Sequence, residues 1–430
     1  MRVRLKLDTG WSRAVLLCTA SLSVLLLAGS ALKVVVVSTL LTLGDESSLQ
    51  TALQLDPTND RLHRALGALY RWSALNPAKA VVEYRRAAEL RPGYAPNLAD
   101  LGDACDAVGD LRCAGAAFVR VAQLASMTPQ LQWRIANHEL LNSHPPAALR
   151  RLARFVELDP PEAQAAFAIA LRASGDPQAL WRELQRQPDA AARFRYITFL
   201  SANRHAEQAQ RYWAQLTETG AAPTLPDAAD YVNQLLAASQ FDEARQVWSD
   251  LERLKVVGAS RPGNLVYNGD FMADPLGTGF DWRLENQAYI GLAFDSGTDA
   301  GRRSLRVDFL AGTNRDFELA QQLVAVTPNQ RYVLRADVRS QGISSDSGPR
   351  LRLREANCPS CAEVSTASTT GTSAWHRIET TFTAGPQTQA LWLSLWRAQS
   401  RSFPGEIGGQ FWLSNVTLTP LDDAGVVARQ

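Results

Sequence analysis

Lysine is almost missing from this sequence: it stands only at Lys6, Lys33, Lys79 and Lys255, and every other cationic side chain apart from histidine is arginine. Codon bias toward arginine is the plain explanation, so an arginine cluster carries meaning only through its position. The formal net charge is +1. With no basic domain or stripe, the electrostatic footprint of a nucleic-acid binder is lacking. Histidine is sparse and scattered (His63, His138, His144, His205, His376), and no two share a metal-ligand spacing on one element. Neither a phosphate-cradling glycine loop nor a nucleophile elbow occurs. These absences leave little room for an enzyme or a cofactor, and the expectation is a binding or scaffolding protein with neither. Asp308, Asp337 and Glu379 are the strand acids that a glycosidase would need as a pair. They read more simply as solvent-facing, so a glycosidase is the least favoured alternative.

At 430 residues the chain has room for several domains, each able to bury a core. Its amino terminus is basic, with Arg2, Arg4, Lys6 and Arg13 ahead of an apolar run from Ala14 to Leu32. After Lys33 a second apolar stretch continues to Leu43. The first run is long enough to cross a hydrocarbon core as a helix, and the basic flank keeps its amino-terminal side in the cytoplasm. The alternative is a cleaved signal, with Ala28 and Ser30 before Ala31 as the small-residue site. Cys18 follows the bulky Leu17 and is a poor lipidation site. Residues 1–13 therefore read as a cytoplasmic basic end and 14–43 as an inner-membrane anchor or signal. Either way the bulk of the chain lies outside the cytoplasm, as expected of a single-pass bacterial inner-membrane protein with a periplasmic or extracellular body.

From residue 48 to 254 the chain is rich in Ala and Leu and repeats itself. "ALQLDP", "AAELRP", "VAQLASMTP" and "RFVELDP" end on Pro57, Pro92, Pro129 and Pro160, about 35, 37 and 31 residues apart. Each proline closes a helix pair that it cannot continue. Small Gly67 and Ala80 stand where helices touch, while Tyr70 and Tyr84 fill the groove between pairs. Later units are degenerate but keep Ala206 and Ala244 at the start of a helix and Trp213 and Trp248 further on. About six pairs are expected. The spacing and residue types resemble the tetratricopeptide repeat family. That resemblance implies a stacked all-α solenoid that docks a protein partner. Cys105 and Cys113 fall on the two helices of one repeat, joined by a "VGD" turn. A disulfide and two buried thiols are both open there.

After a short Gly-, Ser- and Pro-bearing linker at 255–263, the period changes from helical to two. In "YVLRADVR", Tyr332, Leu334, Ala336 and Val338 alternate with Arg335, Asp337 and Arg339. "SLRVDF", "RLRLR", "HRIETTFTA", "ALWLSLW" and "GQFWLSNVTLTPL" alternate likewise, as the strands of a two-sheet sandwich do. "NLVYNGDF" with Trp282, "QQLVAVTPNQRYVLRADVR", "WHRIETTFTAG" and the closing "FWLSNVTLTPL" resemble the carbohydrate-binding jelly rolls of the galactose-binding-domain-like fold, over 264–421, with 422–430 a tail. That family often holds a structural calcium. Met272 after Phe271 and Ser414–Asn415 in the last strand leave too few carboxylates for it here, although Asp270 is retained. No metal is expected.

The fold class is thus multidomain: an N-terminal membrane helix, an all-α tetratricopeptide-type solenoid and a C-terminal all-β jelly-roll sandwich. If Leu391, Leu393 and Leu395 are core, Trp392 and Trp396 stand on the outer sheet surface, about 13 Å apart at 3.3 Å per residue. Arg335, Asp337, Arg352 and Arg354 point outward as well, and with the two tryptophans they form the candidate carbohydrate-binding set. Against it stands a bland reading in which a loop or the helical region covers the tryptophans. "CPSC" (Cys358 to Cys361) lacks the second ligand pair of a zinc site and the strand–helix context of a redox motif. A local disulfide is expected between Cys358 and Cys361. The functional expectation is a membrane-anchored scaffold that binds a protein through its repeats and a polysaccharide through its sandwich, in exopolysaccharide assembly or export. The alternative is an interaction module that binds no sugar.

Overall fold

The computed structural model describes residues 10–158, 160–296, 302–310, 312–358, 363–403 and 405–421. The basic residues Arg2, Arg4 and Lys6, the cysteine Cys361 and the 422–430 tail lie outside the described residues. Two compact units divide between residues 192 and 193.

The first unit opens on one long helix, α1 (Gly10–Leu43), followed by α2 (Glu46–Leu55). Helix pairs then follow: α3 (Asp60–Trp72) with α4 (Pro77–Leu90), and α5 (Ala95–Ala107) with α6 (Leu111–Leu124). The pairs α7 (Pro129–Leu141) with α8 (Pro145–Glu157), and α9 (Ala163–Ser174) with α10 (Pro177–Leu184), complete it. Helix α1 serves two environments. Its side chains from Val15 to Val36 are largely exposed, whereas Val37, Leu40 and Leu41 pack into the first repeat's core with Leu49, Leu62 and Leu66. Lys33 marks the change, its Nζ 3.1 Å from Asp56. The exposed apolar run Ala14–Leu32 spans roughly 28 Å at 1.5 Å per residue, close to a hydrocarbon core. By length and composition it suits either a membrane span or a signal sequence.

Close approach within each pair is set by small residues. A Cβ on Gly67 would come within 2.9 Å of the Tyr84 ring, and one on Gly102 within 2.8 Å of Phe118. These are equivalent contacts one repeat apart. Ala80, Ala114 and Ala148, near the start of successive second helices, are completely buried. Pro57 and Pro92 lie in the turns that follow α2 and α4, as expected, but Pro129 opens α7 rather than closing its predecessor. A missing N–H costs nothing at the first helical position, so proline serves equally well there. Cys105 and Cys113 are joined by a disulfide that links α5 to α6 with Cα atoms 5.8 Å apart.

The second unit contains α11 (Ala191–Ala202) from Arg193 onward, α12 (Ala206–Glu218), α13 (Leu225–Ala237) and α14 (Phe241–Arg253), then the strands. These are β1 (Arg283–Leu284), β2 (Ile290–Ser296), β3 (Arg303–Leu310), β4 (Phe317–Ala325), β5 (Arg331–Ile343), β6 (Arg350–Glu355), β7 (Glu363–Ser365), β8 (Gly371–Thr383), β9 (Ala390–Arg397) and β10 (Gly408–Pro420). They form two antiparallel five-stranded sheets, β1-β4-β9-β6-β7 and β2-β3-β10-β5-β8. Between them lies one core, to which Leu351, Leu353, Leu391, Leu393 and Leu395 contribute from the first sheet and Leu305, Leu334, Val338, Phe411 and Leu413 from the second. The period-two alternation therefore gives the inward sets as read from the sequence.

The boundary between compact units does not coincide with the composition change at 255–263. The last helix, α14, belongs with the sandwich because its aromatic side chains are buried against it. Trp248 of α14 packs edge-on against Tyr267 and Phe280, with ring centroids 5.2 and 5.9 Å away. Phe241 forms an apolar cluster with Leu323 and Ala390. The 255–263 segment is itself pinned, by Ser260 to Glu252 and by Arg261 to Asp270.

The stretch 264–282 closes the sandwich. The Asn264 amide oxygen accepts from the N–H groups of Val266 and Leu418, and its amide nitrogen donates to Val416 O. Gly269 lies so near Val416 O that a Cβ would sit 2.1 Å from it. Phe271 and Trp282 are both fully buried and pack on each other. Asp281 is buried beside them, accepting from the N–H groups of Leu276 and Trp282. Burial pushes its carboxyl up to about 6. Asp270 is engaged by Arg261 and the Met272 N–H. Among the described residues, no group of three or more His, Cys, Asp or Glu could hold a metal ion.

Candidate functional site

In the first unit the first helices of successive pairs carry a ladder of ion pairs. Arg64 of α3 reaches Asp100 of α5 at 2.5 Å, and Arg134 of α7 reaches Asp100 at 2.8 Å and Asp103 at 2.7 Å. Arg71 adds a longer contact to Asp103 at 3.6 Å. Burial holds the Asp103 carboxyl above its usual range even with these arginines beside it. Beside the ladder opens a groove of about 670 Å³ lined by Arg61, Arg64, Trp72, Arg91 and Tyr94 among others. Trp72 is exposed there under the Arg71 guanidinium, and Arg91 lies over the Tyr94 ring at 4.6 Å. Open aromatic and arginine surface of this kind is what protein interfaces favour.

In the second unit the six nominated sugar-binding residues do not form one site. Trp392, Trp396, Arg352 and Arg354 project from β9 and β6 on the outer face of the first sheet. Arg335 and Asp337 lie on β5, in the second sheet. Their outward alternation is as expected, but a full sandwich thickness separates the two outer faces. On its own face Arg335 pairs with Glu379, while Asp337 is buried among Arg302, Arg377 and Asn415. Asn415 reaches it because a bulge between Ser414 and Thr417 turns that side chain toward β5. Asp308 is likewise occupied, by Arg306 and Gln410. The same face holds Trp412, stacked under Arg339 at 4.6 Å and donating to Asp295, and Trp375 under Arg302 at 4.7 Å.

The first face is the more open to chemistry. Register places Trp396 beside Arg350, Ser394 beside Arg352 and Trp392 beside Arg354, with Glu318 and Gln321 of β4 on the other side. Glu318 accepts from Arg352, Arg354 and Ser394. Arg352 and Arg350 both lie over the Trp396 indole, at 4.2 and 5.4 Å. A guanidinium stacked on an indole keeps its in-plane N–H groups for a carboxylate, and the ring fixes the fork's orientation. Four arginines on this face (Arg283, Arg350, Arg352, Arg354) stand against Glu318 and Glu363, a cationic excess.

The two tryptophans have different fates. Trp396 is half-buried by its own arginines. Trp392 is half-buried because the α13–α14 end of the helical region comes down on it: it packs against the Phe241, Leu323 and Ala390 cluster. Leu323, its register partner, faces outward and is nonetheless buried for the same reason. Between the helices and the sheet lies a cleft of about 370 Å³, lined by Asn233, Leu236, Phe241, Arg283, Asn357 and Trp392 among others. Arg283 lies over Trp392 at 5.3 Å and donates to Gly279 O. No sequence signal points to Arg283, since a two-residue strand has no period to read. Glu318 was missed as well, because a bulge between Glu318 and Ala320 breaks the alternation of β4. Cys358 is disulfide-bonded.

No protein-family model matches the chain, and no curated protein matches it. Several solved structures are similar to parts of it. MamA is 16% identical with a TM-score of 0.31, covering 36% of this chain and 87% of that one. A tetratricopeptide repeat protein from Parabacteroides merdae is 15% identical with a TM-score of 0.28, covering 50% and 86%. A CBM4 structure is 13% identical with a TM-score of 0.26, covering 36% and 99%. The structural neighbours thus include both tetratricopeptide repeat proteins and carbohydrate-binding modules.

Proposed function

We propose that the chain is a membrane-anchored scaffold, not an enzyme, whose helical repeats hold a protein partner and whose sandwich binds an anionic glycan. The observation that carries the glycan arm is the outer face of β4, β9 and β6. There, the Arg350 and Arg352 guanidiniums lie over Trp396; Glu318 already engages Arg352, and Arg350, with no carboxylate partner among the described residues, is left to meet one on a glycan. The protein arm rests on the ion-pair ladder and the open aromatic groove along α3, α5 and α7. The anchor is α1, entering the bilayer through Ala14–Leu32 with the basic end cytoplasmic and the body periplasmic or extracellular, as in a single-pass inner-membrane protein. The Cys105–Cys113 disulfide suits an oxidising compartment. A tethered protein that holds both a partner and an acidic polymer fits exopolysaccharide assembly or export.

Affinity electrophoresis of the full chain in detergent, through gels with acidic or neutral polysaccharide, tests this. Retardation by the acidic polymer alone, lost in Arg350→Ala and in Trp396→Ala, is the expected result. Equal mobility in all gels would refute the glycan arm. The second reading, an interaction module without sugar binding, is favoured by the burial of Trp392 under Phe241, and it predicts that equal mobility.

A further inference from the structure

Resting on that glycan reading, we infer that the cleft between α13–α14 and the first sheet receives the terminal residue of an anionic glycan, so that the protein recognises chain ends.

A track along β9 is open at Trp396 and walled at Trp392. Phe241 and Leu236 stand across the Trp392 end, and the polar link from Ser239 to Asn357 closes the side. The wall is fixed in place. Asn233 donates to Thr278 Oγ1 at 2.7 Å and accepts from the Gly279 N–H at 3.1 Å, tying α13 to the loop that leads into β1. A polymer lying along the outer face would run into it, whereas a polymer end would enter the cleft.

Arg283 points to the charge of that end. Among the described residues it has no carboxylate within ion-pair distance, although it is half-buried in the cleft and stacked on Trp392. Its neighbours Arg352 and Arg354 share Glu318, but its own contacts are neutral ones, to Gly279 O and the Asn233 amide oxygen. Burial without a counter-charge lowers its proton affinity below the usual arginine value. A partly desolvated cation with only neutral partners is costly, and an anion entering the cleft removes that cost. A sugar carboxylate would meet the Arg283 fork, which Trp392 backs, with hydroxyls within reach of Asn233 and Asn357. The cleft volume suits one or two sugar residues, which leaves the following residues to run out over Ser394 toward Trp396.

Binding of the full chain in detergent to trigalacturonate and to long polygalacturonate, by calorimetry, tests the inference. Saturation should follow the concentration of chain ends for both probes. Arg283→Lys, which keeps the charge but loses the fork, should weaken trigalacturonate at least about tenfold, and Ala237→Phe, which fills the cleft that Ala237 lines, should abolish it, with thermal midpoints unchanged for Arg283→Lys. Saturation that follows total uronate whatever the chain length would overturn end recognition and leave the glycan reading standing. No binding by either probe would overturn both. Polyglutamate binding as tightly as trigalacturonate, with the same loss in Arg283→Lys, would assign the cleft to acidic protein segments and overturn the inference.

Discussion

The second unit should become less stable as pH rises from about 4 to 6, and Asp281 should be responsible. Its carboxyl is fully buried behind Trp282 and has its pKa raised from 3.8 to about 6. Burial is the dominant cause; the N–H groups of Leu276 and Trp282 oppose it. Between those two values the folded state holds a proton that the unfolded state has released, so unfolding stability falls as pH increases. At 1.36 kcal/mol per pKa unit, the full loss is about 3 kcal/mol, complete above pH 6 and absent below pH 4. Other carboxylates titrate in the same experiment: Asp103 is raised, and Asp45, Asp56 and Asp346 are lowered. Comparison with Asp281→Asn isolates the one group. Asparagine offers a single acceptor oxygen to two N–H groups, so the variant loses a pH-independent 1–3 kcal/mol or so. The informative quantity is therefore the slope. Urea unfolding at a series of pH values should give a flatter profile for Asp281→Asn than for the parent chain, the curves differing in change by about 3 kcal/mol across the window. Parallel profiles would show that Asp281 is ionised in the fold at low pH, and the account of its burial would be wrong.

Gly279 has φ +58° and lies where a Cβ would meet the Trp248 ring at 2.2 Å. Gly279→Ala should cost about 2–5 kcal/mol from backbone strain and overpacking together and shift the Trp248 fluorescence, as the ring is displaced from Tyr267. Arg397 is fully buried and donates to Ser347 O, Arg315 O, Asn314 Oδ1, Ser345 Oγ and Gly405 O. Lysine cannot reproduce those bonds, so Arg397→Lys should lower unfolding stability by about 3–5 kcal/mol in urea. The Cys105–Cys113 bridge closes a loop with a sequence separation of 8. Its removal as Cys105→Ala/Cys113→Ala should cost the first unit about 2–3 kcal/mol, and reductant should destabilise the first unit of the parent chain but not that of the variant.

The architecture was legible because it is written in periods that local sterics enforce. The small residues Gly67 and Gly102 recur against Tyr84 and Phe118, and "RLRLR" cannot bury its leucines without turning its arginines outward. The prolines punctuate the helices but not always in one sense, since Pro129 begins a helix where its spacing reads as the close of one. The compact-unit boundary was not legible. Composition changes at 255–263, but cohesion depends on where Trp248 and Phe241 find a surface: Trp248 finds it at Tyr267 and Phe280, and Phe241 on β4 and β9, far along the chain.

The site divides along the same line. Alternation tells which side of a strand a residue takes, yet it does not tell which of two sheets the strand joins, so Arg335 and Asp337 were grouped with Trp392 although β5 belongs to the opposite layer. Nor does alternation tell what covers an outward face. Trp392 and Trp396 are equivalent in the pattern "LWLSLW", and a sugar-binding pair and a packing pair read alike there. They differ because α13 and α14 reach one end of the sheet and not the other. That asymmetry changes the ligand question from the spacing of two aromatic rings to the charge of a half-closed cleft. Trp396 contributes by orienting Arg350 and Arg352, and Trp392 by backing Arg283. A neutral polymer would gain little from either arrangement, because the guanidiniums already occupy the indole faces. An anionic one would meet oriented forks along the track and a cation without a counter-charge at its end.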